Sequence, residues 1–271
     1  MLPDPSKPID PDVPVLRVVS PAGDVRAVAF SYACHPTTMG GQLLGTDFPG
    51  PGRDAVRQAI PGCLPVFLQG CGGDVKPRNV TAKGTFASGP VEVVYEIGHE
   101  LGRAVLCALA GHPSDLGEQL AGASAIAQLP AKGQPSEQEL ETLLQGSEWE
   151  RAWAQAARRT IEHKGRLADA LPMEVQLLTI GDLHIIGMGG EVSCEIGLEL
   201  KHRLPQTTLW TLGYSNLLRC YVASRGAHSE GGYEVDRSFL YSLTPEPRPL
   251  GLAPESVDAL IDTAMQLVAS A

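Results

Sequence analysis

A histidine that ends an apolar run, in Ala33-Cys34-His35-Pro36-Thr37-Thr38, is the first residue of this 271-residue chain with an evident chemical use. A neutral imidazole can give one nitrogen lone pair to a metal ion while its other nitrogen holds a hydrogen-bond partner. The proline after it stiffens the backbone that carries it. A histidine can equally pack and hydrogen-bond with no further role, and His35 taken alone is read that way. Asp47, in Thr46-Asp47-Phe48-Pro49-Gly50, could hold the histidine tautomer or act as a base. It could also cap a helix that starts soon after it and runs to about Ile60, and the local pattern favours the cap.

Three further segments carry usable chemistry. Gln69-Gly70-Cys71-Gly72-Gly73-Asp74-Val75-Lys76-Pro77-Arg78 follows a short apolar run. Its Gly72 and Gly73 amides, with Lys76 and Arg78, could receive an oxyanion or an anionic substrate group, or the glycines could simply make a tight turn. The spacing matches neither a P-loop nor a dinucleotide fingerprint. Cys71 reads as a small packing residue rather than a nucleophile. In Met188-Gly189-Gly190-Glu191 the carboxylate could bind a metal or cap the following helix. Last, Gly213-Tyr214-Ser215-Asn216, Tyr221-Val222 and Gly231-Gly232-Tyr233-Glu234 place three tyrosines in one glycine-bearing region, as a site wall or as structural tyrosines in a long loop.

The elements that must position these residues alternate along the chain. Residues 15–19 and 25–30 read as a hairpin about Pro21-Ala22-Gly23-Asp24, and 64–68 as a buried strand. Val94, Ile97, Leu101, Val105 and Leu109 recur at helical spacing over 91–110. Residues 135–168 are polar and helix-prone, opening on the capping box Ser136-x-x-Glu139, with Trp149 and Trp153 placed to pin the helix. Strands follow at 173–180, 183–186 and 207–212, with a helix over 194–203 between the last two. A closing helix starts at Pro254. Interleaved strands and helices predict an α/β (or α+β) layered domain, a mixed sheet with packed helices. No repeat or low-complexity linker marks a boundary, so residues 1–271 read as one domain.

Composition bounds the rest. Hydrophobic residues are 43% and charged residues 19%, enough for a sizeable core. The net charge of -10 and the lack of a basic run argue against nucleic-acid binding. No apolar stretch is long enough for a membrane span. The opening residues 1–8 have no apolar core, so no secretory signal is read, and a cytoplasmic location with six reduced cysteines is expected.

Taken together and in order, these segments resemble the neutral, non-lysosomal ceramidase family, from about residue 10 onward. The resemblance implies a catalytic domain that hydrolyses an amide, with zinc held by two histidines, a glutamate and a tyrosine. His35 corresponds to the second histidine, Glu191 to the glutamate, Tyr221 to the ligand tyrosine and Tyr233 to a further active-site tyrosine. The family's first zinc histidine lies in a segment upstream of anything here, so relative to the family the chain reads as N-terminally truncated. A fourth ligand could be water, His228 as first candidate, His99 or His184, or come from another subunit. Lys76 stands where the family has a serine.

The expected function is a zinc-dependent hydrolase of amide or ester bonds in a small-molecule or lipid-like substrate. Asp47 or Tyr233 would aid proton transfer, and Lys76 and the glycine amides would face developing charge. The alternatives are a phosphoester or phosphotriester hydrolase on the same metal site, and a non-catalytic, homo-oligomerising remnant.

Overall fold

Three strands and two helices set the frame for His35. A computed structural model describes residues 2–241 and 247–270. Strand β1 (Val15–Val19) pairs antiparallel with β2 (Val25–Tyr32), as the turn residues between them predict, with a bulge between Val18 and Val19. Strand β3 (Leu64–Gln69) then joins β2 in parallel, Tyr32 standing opposite Gln69. The connection between β2 and β3 carries helix α1 (Pro49–Ala59), whose first turn holds two prolines. Helix α2 (Val91–Leu109) follows with the expected apolar face. The two helices lie close: a Cβ at Gly98 would stand 2.6 Å from the Phe48 carbonyl oxygen. Val28, Phe30, Phe48, Val56, Leu101 and Val105 form the core beneath them.

The chain divides into two compact units, each made of three segments. The first is Met1–Leu120, Thr179–Ile185 and Ser193–Gly213; the second is Ala121–Leu178, Ile186–Val192 and Tyr214–Ala271. A four-stranded sheet has the order β4 (Leu120–Pro130), β5 (Ala170–Ile180), β6 (Leu183–Met188), β8 (Thr208–Leu212). Between β6 and β8 come β7 (Glu191–Val192) and helix α5 (Cys194–Arg203). Helices α3 (Glu137–Leu144) and α4 (Glu148–Lys164) occupy the polar stretch, and each opens on a capping box, at Ser136 and at Ser147. Trp153, 3% exposed, pins α4 against Phe239, whereas Trp149 stays largely in solvent. Strand β9 (Tyr221–Val222) pairs in parallel with β7. Helix α6 (Arg225–Glu230), a π-helical turn at Tyr233–Arg237 and helix α7 (Ser256–Ala269) complete the chain.

The expected mixed α/β layering is thus present. Strand β4 is the principal element that residue pattern did not anticipate. It is built of small residues, Leu-Ala-Gly-Ala-Ser-Ala-Ile-Ala-Gln-Leu-Pro, with a single β-branched side chain. Among the described residues no helix is long and apolar enough to cross a membrane.

Candidate functional site

In the first unit the chemistry gathers at the carboxyl ends of β2 and β3, where parallel strands commonly present their ligand sites. His35 Nδ1 lies 2.6 Å from the carbonyl oxygen of Gly72. A carbonyl only accepts, so Nδ1 carries the proton and donates it. That places the ring's remaining lone pair on Nε2, the tautomer suited to a metal ligand. The same Gly72 oxygen accepts from Val75 N at 3.0 Å, and His35 N gives its proton to Val75 O at 2.9 Å. Gln69 adds a clip, its Nε2 donating to Cys34 O at 3.0 Å. Gly72 is buried because the two segments nearly touch: a Cβ there would sit 2.6 Å from Cys34 N.

Asp47 has a different role from the expected cap. Helix α1 is capped at Phe48 without any side-chain bond. The Asp47 carboxylate instead turns back to the His35 loop, taking N–H bonds from Thr38 at 2.9 Å and Met39 at 3.1 Å, and from Phe48 at 2.8 Å. Its φ of 51° is left-handed, a conformation that aspartate tolerates better than most residues. The histidine tautomer is held by Gly72, not by Asp47.

Asp74 was not singled out by its surroundings in sequence, yet its Oδ1 accepts from Cys194 N at 2.7 Å and so places an anion at the start of α5. Cys71 is buried beside Thr211 and Gly197, and burial pushes its thiol upward, away from a nucleophile's range. Lys76 is half-buried, and its charge acts on Cys34. Arg78 is turned to solvent and paired with Glu100 at 2.8 Å.

In the second unit Glu191 and Tyr221 are partners across the β7–β9 pair. Glu191 does not occupy the cap of α5, whose N-cap residue is Ser193. Its Oε2 accepts from the Tyr214 hydroxyl at 2.7 Å. Burial, then a hydrogen bond with Glu191, raises the Tyr221 phenol well above its ordinary 10.0. The Tyr233 ring meets Tyr221 edge-on at 5.6 Å, and burial and Glu191 push its phenol up as well. The three tyrosines of the glycine-bearing region therefore converge on one carboxylate.

The other histidines fall elsewhere. His228, on α6, feels Lys132, Asp236 and Glu255, and burial lowers its pKa; its Nδ1 is buried without a hydrogen-bond partner among the described residues. His99 is exposed on α2 against Tyr95, and His184 lies half-buried on β6. Among the described residues no three His, Cys, Asp or Glu side chains group as a metal site.

Of the donors that a zinc ion would need, His35 has its Nδ1 on Gly72 O, which leaves Nε2 as the nitrogen a metal would use; within the second unit Glu191 offers a carboxylate, hydrogen-bonded to the Tyr221 phenol whose proton a cation would displace.

The fold class is a layered α/β architecture with mixed sheets. It is shared with neutral ceramidase from Pseudomonas aeruginosa, at a TM-score of 0.65 and 16% identity over 96% of this chain and 47% of that one. A ceramidase complexed with C2 gives a TM-score of 0.66 at 16% identity, over 98% of this chain and 50% of the other. The chain thus spans about half the length of these structures. No protein-family model matches the chain, and no curated protein matches it by sequence.

Proposed function

We infer that the chain is a zinc-dependent hydrolase of amide or ester bonds in a small or lipid-like substrate, with His35, Glu191 and Tyr221 as the metal's protein ligands. The observation that carries this reading is the bond from His35 Nδ1 to Gly72 O, which commits the imidazole to a ligating tautomer. The shared fold with ceramidases supports the hydrolase class.

When bound, zinc would supply Lewis acidity, polarising a carbonyl and making water a better nucleophile. The chain's own residues do the rest. Asp47 and Gln69 hold the His35 loop through backbone bonds, keeping the imidazole in one orientation. Tyr214 orients the Glu191 carboxylate. Tyr233, whose phenol is raised by partial burial and by Glu191, serves as a hydrogen-bond donor to substrate. Lys76 brings a cation to the loop beside Cys34, suited to a developing negative charge.

Elemental analysis of the purified protein, with amide, ester and phosphoester substrates assayed in parallel, tests the reading. About one zinc per chain is expected, lost in His35→Ala, with hydrolysis of amides or esters falling at least about 100-fold on chelation. Full activity in a metal-free preparation would overturn it.

A further inference from the structure

Strand β1 ends its sheet, and its outer edge is bare. It pairs antiparallel with β2, Val15 opposite Phe30 and Arg17 opposite Val28. Ser31 N donates to Pro14 O at 3.2 Å, so Pro14 turns its carbonyl toward β2. Main-chain groups alternate sides along such a strand. Leu16 and Val18 therefore also face β2, while Val15 and Arg17 present their N–H and C=O groups outward. Among the described residues no strand lies beyond β1, and these outward groups have no main-chain partner.

A cavity of about 800 Å³ follows that edge, all within the first unit. It is lined by the whole of β1, by Ala108 and Leu109 at the end of α2, and by Leu183 and Trp210. The two faces of β1 account for these walls. Val15 and Leu109 pack on the core beneath α1 and α2, whereas Leu16 and Leu116 pack on Leu183 and Trp210. An apolar hollow alone would suit any apolar ligand. A hollow floored by unused peptide groups is matched by a ligand that brings peptide groups of its own, which is another strand. The bulge between Val18 and Val19 interrupts the ladder and limits that guest to a few residues.

Charge narrows the guest further. Arg17 is exposed on this edge, in a chain of net charge -10, and makes no ion pair among the described residues. Asp115 also lines the cavity without pairing with it. In an antiparallel guest the residue opposite Arg17 shares its face, so a carboxylate there meets the free guanidinium. The residues before and after it point to the other face, onto Leu16, Val18 and Leu116.

We propose that this groove binds a short extended segment of a partner protein as an added strand, antiparallel to β1, with an acidic residue opposite Arg17 and an apolar residue on each side of it. The inference is independent of the hydrolase reading.

Fluorescence anisotropy tests it, with the whole chain and the labelled peptide acetyl-Thr-Val-Glu-Val-Thr-amide. Binding should saturate. Methylating the glutamate nitrogen, whose N–H would bond to Arg17 O, should weaken binding about tenfold. Methylating the nitrogen of the valine that follows, which faces away from β1, should change it by less than about twofold. Lysine in place of glutamate should weaken binding about two- to fivefold, and Arg17→Glu, an exposed substitution, should reverse that preference. Absence of saturation, equal effects of the two methylations, a lysine peptide that binds the unaltered protein as tightly, or an unchanged preference in Arg17→Glu would overturn the proposal.

Discussion

In the first unit every contact described as holding His35 has a main-chain partner: the Gly72 carbonyl receives its ring, and the Asp47 carboxylate takes the backbone amides of the loop after it. In the second unit Glu191 is held by side chains, the Tyr214 hydroxyl at 2.7 Å and the Tyr221 phenol. Main-chain support depends on close approach of backbones and is indifferent to the identity of most side chains nearby. Side-chain support depends on groups that titrate. The two regions should therefore fail in different ways.

The sharpest way to break the first is Gly72→Ala. Its Cβ would sit 2.6 Å from Cys34 N, backbone against backbone with no flexible side chain to yield. A loss of about 3 kcal/mol or more is expected, read as a fall of roughly 10 °C in the thermal midpoint, together with loss of metal binding. Asp47→Ala comes next. It strips the partner from the N–H groups of Thr38, Met39 and Phe48 and should cost about 2–3 kcal/mol in chemical denaturation. Asp47→Asn keeps a carbonyl acceptor and tolerates the left-handed φ, so it should recover at least about half of that loss.

Alkaline pH should weaken both units through buried protons. Burial pushes the thiols of Cys34, Cys194 and Cys220 from 9.0 up to about 12, and burial with the Glu191 hydrogen bond raises the Tyr221 phenol above 10.0. The folded chain keeps these protons to higher pH than the unfolded chain does. Their contribution is complete below about pH 9 and is lost as pH climbs toward 12. The thermal midpoint should hold steady from pH 7 to about 9 and then drop by several degrees by pH 11. Tyr221→Phe should flatten the part of that fall above pH 10, and an unchanged slope would place the sensitivity wholly in the thiols. The smallest effect is expected for Arg78→Ala. Its pair with Glu100 is exposed on both sides, and denaturation should move by less than about 0.5 kcal/mol.

Much of this framework is legible in residue pattern. The hairpin of β1 and β2, the apolar stripe of α2, the Ser136 capping box and the helix after Glu191 all follow from local rules that the fold obeys. Strand β4 escaped because alanine and glycine carry no period-two signal. The role of Asp47 escaped for a different reason. An aspartate just before a helix looks like a cap, and only the fold brings Thr38 and Met39 within its reach. The same holds for Asp74 and Cys194, whose bond spans a separation that no motif records. The ring contacts of Tyr233 with Tyr241 and of Tyr241 with Trp149 are likewise invisible in order, because α4 supplies Trp149 from far upstream.

The interleaving of the two units has a consequence for how the protein is made. The first unit needs β8 and α5, so a nascent chain does not contain all of it until Gly213 has been added. By then Ala121–Leu178 and Ile186–Val192 of the second unit have also been synthesised. A cut at any single point between Ala121 and Gly213 leaves neither fragment with a whole unit, so the two are expected to mature together, late in synthesis.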